Sequence, residues 1–387
     1  MTTRRTAGEA GFSLIEVIVS MAIMLIVMAG VFQSMSTAME AHDYVKQVTA
    51  MNSNLGTAMD AVVRDLLQVG QGLPVGRRID VPNGAGALAI VRPGPGIVGA
   101  CPGVTSFPAA SSLAAVTSGA SLGPAVNNVC TDVITVLMAD SMFESVGVAS
   151  IASAGTSLII DDDVDITGGA STTDDLRAGD LLMLAKGSFT TLMTVSSVAN
   201  QTVTFTAGDP LRLNQFDATL NIDGTINQLR AAAPVDPTVP QPDPANNALT
   251  IPGPTTATRI RMITYYVDTV ISPQNPRLMR IVGGGVPQAV AFNVHGLTFS
   301  YDLFNGDTNP TAVRMTAADL VSGGPCGSMV AGQTTDNFQS ICANRIRKVN
   351  VMLAMRSETQ NRRIGDYHRN TLFTQVSLRN LSFQDQW

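Results

Sequence analysis

Few residues in this chain have the type and spacing to do chemistry. Its three histidines, His42, His295 and His368, are far apart in sequence, and no G-x-S-x-G, H-E-x-x-H or Walker pattern accompanies them. Hydrolytic, metallopeptidase and phosphoryl-transfer activities therefore lack their usual residues, and the expectation is a protein that is not an enzyme. Gly283-Gly284-Gly285 has no Lys-Ser/Thr after it and reads as a hairpin turn rather than a phosphate loop. The run Asp161-Asp162-Asp163-Val164-Asp165 places carboxylates at alternate positions, so Asp161, Asp163 and Asp165 are candidate Ca²⁺ ligands. Counting twelve positions from Asp161 ends on Thr172 where a calcium loop needs Glu, which favours solvated turn residues and no cofactor. The residue most out of place is Glu16, an acid set inside the apolar run from Phe12 to Phe32. Insertion scales charge about 2.5–3.5 kcal/mol for an acid at the centre of such a segment and less near its end, so Glu16 calls for a role.

The elements that would position these residues follow from pattern. After Glu16 no charge occurs until Glu40, a stretch long enough to cross a bilayer of about 30 Å hydrocarbon thickness as a helix. Beyond it apolar residues recur at Val45, Val48, Leu55, Met59, Val62, Leu66 and Val69, mostly three or four apart, and the first proline is Pro74. The spacing predicts that the spanning helix continues as an amphipathic one, roughly 90 Å in all, to the stop signal Gly70-Gln71-Gly72-Leu73-Pro74. With no proline inside, any kink has to arise at Gly30. After Pro74 short apolar or alternating runs separated by Gly, Pro, Asn and Asp predict strands near 88–91, 133–138, 181–185, 202–206, 261–267, 278–282, 297–303, 349–355 and 372–378. Of the 387 residues only 14% are charged, and a net charge of -6 with no basic stripe argues against nucleic acid as a partner.

Gly11-Phe12-Ser13-Leu14-Ile15-Glu16-Val17, placed where a leader bearing Arg4 and Arg5 meets the apolar run, resembles the prepilin signature GF-[ST]-L-[IV]-E-[VL] of type IV pilin-like proteins. The resemblance implies that a membrane prepilin peptidase cleaves between Gly11 and Phe12, that Phe12 becomes N-methylated, and that Glu16 is an assembly contact. Pairing Glu16 with the Phe12 amine of a neighbouring subunit would remove two uncompensated charges from an apolar bundle together. Two competing readings are a secretory signal peptide cut at Ser36-Thr37-Ala38 and a plain transmembrane anchor. The length of the apolar stretch, the acid within it and the unbroken helical pattern favour the prepilin reading.

That reading implies an α+β pilin-like fold, a long N-terminal transmembrane and amphipathic helix packed on an antiparallel β-sheet head, with an inserted all-β module. The expected organisation is a leader over 1–11, the helix over 12–73, a first part of the head over 74–141, the module over 142–230, a Pro-rich linker over 231–256 and a C-terminal sheet over 257–387. In an exported protein the four cysteines suggest two local bridges, Cys101 to Cys130 and Cys326 to Cys342. The C-terminal strand patterns, with Arg379 and Asn380, resemble PilW-like minor pilins and the J-type pseudopilin of type II secretion. A minor pilin near a pilus tip is the first expectation, and a pseudopilin or a pilus-delivered adhesin the alternatives. Expected partners are prepilin peptidase, other major and minor pilins, the inner-membrane assembly platform and, before assembly, membrane lipid. The expected location is the bacterial inner membrane, single-pass with the head in the periplasm, then the pilus or pseudopilus.

Overall fold

The structure, a computed structural model, describes residues 13–73, 78–82, 86–94, 101, 112–143, 145–152, 154–161, 176–186, 189–216, 225–226, 229, 241–242, 249–250, 255–303, 312–313, 346–361 and 365–381. It is α+β: one long helix, α1 (Leu14–Leu67), followed by antiparallel sheets. The chain divides into two units, Met1–Asn52 with Ser357–His368, and Ser53–Arg356 with Arg369–Trp387.

In the first unit α1 passes through Gly30 without interruption, and every described residue up to Lys46 is exposed. The loop from Ser357 to His368 closes on itself: the Ser357 N–H donates to the His368 carbonyl at 2.8 Å, and Asn361 bridges Asp366. The His368 ring meets Tyr44 of α1 edge-on, with centroids 4.5 Å apart.

The second unit is the β head. Its main sheet is built from β1 (Val116–Gly119), β2 (Val133–Ala139), β3 (Val146–Ile151), β4 (Ser157–Ile160), β5 (Leu181–Lys186), β6 (Phe189–Thr194), β7 (Ser197–Ala199), β8 (Thr202–Thr204), β9 (Thr256–Asp268), β10 (Arg277–Val282) and β11 (Gln288–Phe292). The thirteen-residue β9 is its pivot. Its first residues pair with β3 and β5, and its later ones with β2 and β10. A second sheet comprises β12 (Val294–Leu303), β13 (Ile346–Arg356) and β14 (Arg369–Ser377), with Ala312–Val313 on the β12 edge.

Strand alternation sorts the β9 side chains onto two faces. Tyr265 reaches α1, where its hydroxyl donates to the Asp65 carboxylate at 2.6 Å. Leu55, Ala58, Met59, Val62, Leu66 and Val69 are all buried there. Fully burying an aliphatic side chain of this size contributes about 1.5–3 kcal/mol, so this stripe is a principal source of head stability. On the other face Thr264 bonds Thr135 across the ladder at 2.9 Å, and Arg92 covers the pair. The buried Arg92 guanidinium donates to the carbonyls of Thr117 and Ser118, and desolvation lowers its pKa to about 10. Asp132 joins the two sheets, accepting the N–H of Phe299 at 2.8 Å and of Ser121 at 2.7 Å.

Strands β3 to β8 fall within residues 142–230 and enclose their own apolar cluster, including Phe143, Leu158, Ile160, Leu184, Met193, Val203 and Phe205. Ala257 of β9 belongs to that cluster, and both β3 and β5 end on β9, so the segment shares a strand with the head sheet. Cys101 and Cys130 form a disulfide with Cα atoms 5.5 Å apart. Cys326 and Cys342 lie outside the described residues, as does most of 231–256.

Two expectations of detail change. The helix ends at Leu67, because the chain then turns through Gly70 (φ 78°) and Gly72 (φ 68°). A Cβ on Gly70 would lie 2.6 Å from Leu381 Cδ2, and one on Gly72 2.5 Å from Ala139 Cβ, so glycine is required on conformational and steric grounds alike. Residues 88–91 are not a strand. Leu88 bonds through both its N–H and its carbonyl to the Gln215 side-chain amide, which takes the place of a neighbouring strand.

Candidate functional site

The first turn of α1 carries the residue singled out by its misplaced charge. Ser13 precedes the helix, and its carbonyl accepts the N–H groups of Glu16 at 3.0 Å and Val17 at 3.2 Å. The Glu16 carboxylate reaches back to the Ser13 N–H at 3.4 Å. This is the carboxylate half of a capping box, S-x-x-E, in which the third helical residue satisfies an orphan donor at the cap. A carboxylate in the first turn is also favoured by the helix dipole. Glu16 is therefore held at the N-terminus of the helix, exposed, and among the described residues it makes no ion pair. Its local bond is long and leaves most of its acceptor capacity for a cation supplied from outside. Gly11 and Phe12 lie outside the described residues.

The apolar stretch beyond Glu16 is made compatible with lipid by internal bonding. Ser20 donates its hydroxyl to the Val17 carbonyl and Thr37 to the Gln33 carbonyl, each at 2.9 Å, so these hydroxyls need no water. The helix is long and apolar enough to cross a membrane, and none of its apolar window is buried by the rest of the chain.

Among the described residues the other candidates are not gathered into a site. Asp161 donates its N–H to the Gly147 carbonyl at 3.0 Å at the end of β4, while Asp163 and Asp165 lie outside the described residues. Among the described residues no group of three His, Cys, Asp or Glu could hold a metal ion. His295 Nδ1 meets the Asn127 amide at 2.9 Å and His368 Nε2 the Asn361 amide at 3.0 Å, so each imidazole is engaged by a side-chain amide. His42 is exposed on α1. Gly283 and Gly284 make the turn between β10 and β11, as the hairpin reading expects.

Two charged clusters escape sequence reading. Asp65, on the buried face of α1, accepts from Tyr265 and, at 2.7 Å, from Arg280 Nε on β10. Burial, then the neighbouring Asp65 charge, pushes the Tyr265 hydroxyl well above its ordinary pKa, so it remains a donor. The signal available was an acid adjoining Leu66 in an apolar stripe. In the second cluster, Arg259 of β9 faces Asp140 (3.1 Å) and Asp180 (3.7 Å) and lies over the Phe143 ring. Burial raises the Asp180 pKa, partly offset by the Arg177 N–H and by Arg259. Its members come from three separate stretches of chain, which no local pattern connects.

Residues 6–32 match the prokaryotic N-terminal methylation motif family. The match covers residues 6–11 of the expected leader, the cleavage junction and the whole apolar run from Phe12 to Phe32. The match supports a type IV pilin-like N-terminus of the kind processed by prepilin peptidase, and it implies assembly with other pilins. No curated protein and no solved structure matches the chain.

Proposed function

We propose that this protein is a minor pilin, PilW-like in kind, which joins or primes a type IV pilus near its tip and acts by assembly rather than catalysis. The observation that carries the reading is the methylation motif on a helix whose first part is exposed and apolar and whose last part is locked under a β head. Before assembly the exposed part rests in the inner membrane with the head in the periplasm. After cleavage it transfers from lipid to the apolar core of a filament. Glu16, exposed and held at the helix start, then receives the methylated amine of Phe12 from an adjacent subunit. A head built from the greater part of a 387-residue chain is difficult to repeat along a close-packed filament, which favours the tip. The J-type pseudopilin shares these features and differs in the machine it joins.

Mass spectrometry of the mature chain tests the first step, with methylated Phe12 expected as the first residue; a start at Met39 sinks the proposal in favour of a signal peptide. Glu16→Val should be cleaved and inserted normally yet be absent from sheared filaments, and wild-type incorporation would remove the role given to the carboxylate.

A further inference from the structure

A pocket lies where β9 changes partners. β9 pairs with β5 over Thr256–Ile260 and with β10 over Ile263–Asp268, so Arg261 and Met262 fall between the two ladders. The turn before β5 and the turn after β10 approach there, and they leave a cavity of about 330 Å³. Arg259 and Arg261, two apart on β9, project to the same side, and Arg177 completes a lining of three guanidinium groups. Asp140 and Asp180 are the carboxylates in that lining.

Arg259 is occupied by both acids, and Asp180 also accepts the backbone N–H of Arg177 at 2.9 Å. Among the described lining residues three guanidinium groups face two carboxylates. Arg261 is half-buried and makes no ion pair among the described residues. A guanidinium with a planar donor fork beside a cavity is suited to bidentate recognition of a carboxylate. The two aspartates, fixed by Arg259, offer acceptors to neighbouring hydroxyl groups. A cavity at the lower end of the range for ligand sites admits a molecule of about monosaccharide size.

We propose that this pocket binds a sugar acid, a ring bearing one carboxylate and several hydroxyls such as a hexuronate unit, with Arg261 on the carboxylate and Asp140 and Asp180 on the hydroxyls. The site lies wholly within the β head and does not depend on the filament role.

The test is calorimetric titration of the full chain in detergent with glucuronate, glucose and acetate, repeated with Arg261→Ala and Arg261→Lys. Glucuronate should bind at least about tenfold more tightly than glucose or acetate, and Arg261→Ala should weaken it about tenfold or more. Arg261→Lys, which keeps the charge and loses the fork, should fall between. Equal binding of glucose, equal binding of acetate, or no saturable heat with glucuronate at about 10 mM overturns the proposal. So does an unchanged affinity in the alanine variant. If that variant does not fold, the lysine variant and the three-ligand comparison on the wild-type chain decide the question.

Discussion

Asp65 is the residue on which the attachment of helix to sheet turns, although nothing about it suggests binding or catalysis. It is 7% exposed and accepts from Tyr265 and from both Nε and Nη2 of Arg280. Removing one partner of a buried ion pair leaves the other charge desolvated and uncompensated, at a cost of about 3–5 kcal/mol. Asp65→Ala should therefore destabilise the head by about that amount in urea unfolding, while Asp65→Asn, which keeps an acceptor for Tyr265, should lose less. A loss below about 1 kcal/mol in the alanine variant would show that water reaches Arg280 and takes the place of the carboxylate. Glu16 differs from Asp65 in the way that made it legible. Its peculiarity is visible in one dimension, as an acid in an apolar run, whereas the partners of Asp65 are 200 and 215 residues away.

At the scale of elements, periodicity carried most of the information, because strands and helices are local. The runs near 133–138, 278–282 and 349–355 became Val133–Ala139, Arg277–Val282 and Ile346–Arg356, each extended by a residue or more where a neighbouring strand continued the ladder. The helical stripe keeps its predicted period, and the structure adds how much of it is covered. From Leu55 onward its members are buried, whereas Val48 is half-buried and Val45 is 59% exposed. Period 3.6 states which residues share a face, and only the sheet decides how far along the helix that face is covered. Leu66→Ala should therefore cost about 2–5 kcal/mol and Val45→Ala less than about 0.5 kcal/mol in the isolated protein. Comparable losses from the two would mean that the stripe acts as one packed unit. Residues 88–91 mark the opposite limit: their composition suits a strand, but a side-chain amide 127 residues away takes both bonds of Leu88, and the Val91 N–H donates to the Leu211 carbonyl in a loop.

For the molecule as a whole, the shared strand β9 governs what can be separated from what. Composition made residues 142–230 look like an insertion, and their apolar cluster agrees with a module of its own. Yet β9 is bonded to β3 and β5 by its first residues and to β2 and β10 by its later ones, and Ala257 lies in the module core. Excision of 142–230 would strip the start of β9 of its partners, expose the side chains that packed against the module, and leave unpaired strand edges prone to association. The deletion variant should therefore lose cooperative thermal unfolding and become sensitive to protease across the head, in place of a clean removal of one function. A deletion protein that melts cooperatively near the wild-type temperature would instead establish that the remaining sheet is self-sufficient. Under the expected outcome, absence of pili in the deletion strain reflects loss of the head, and a binding role for the pocket that this region shares with β9 is tested by point substitutions such as those at Arg261, which leave the β9 ladders intact.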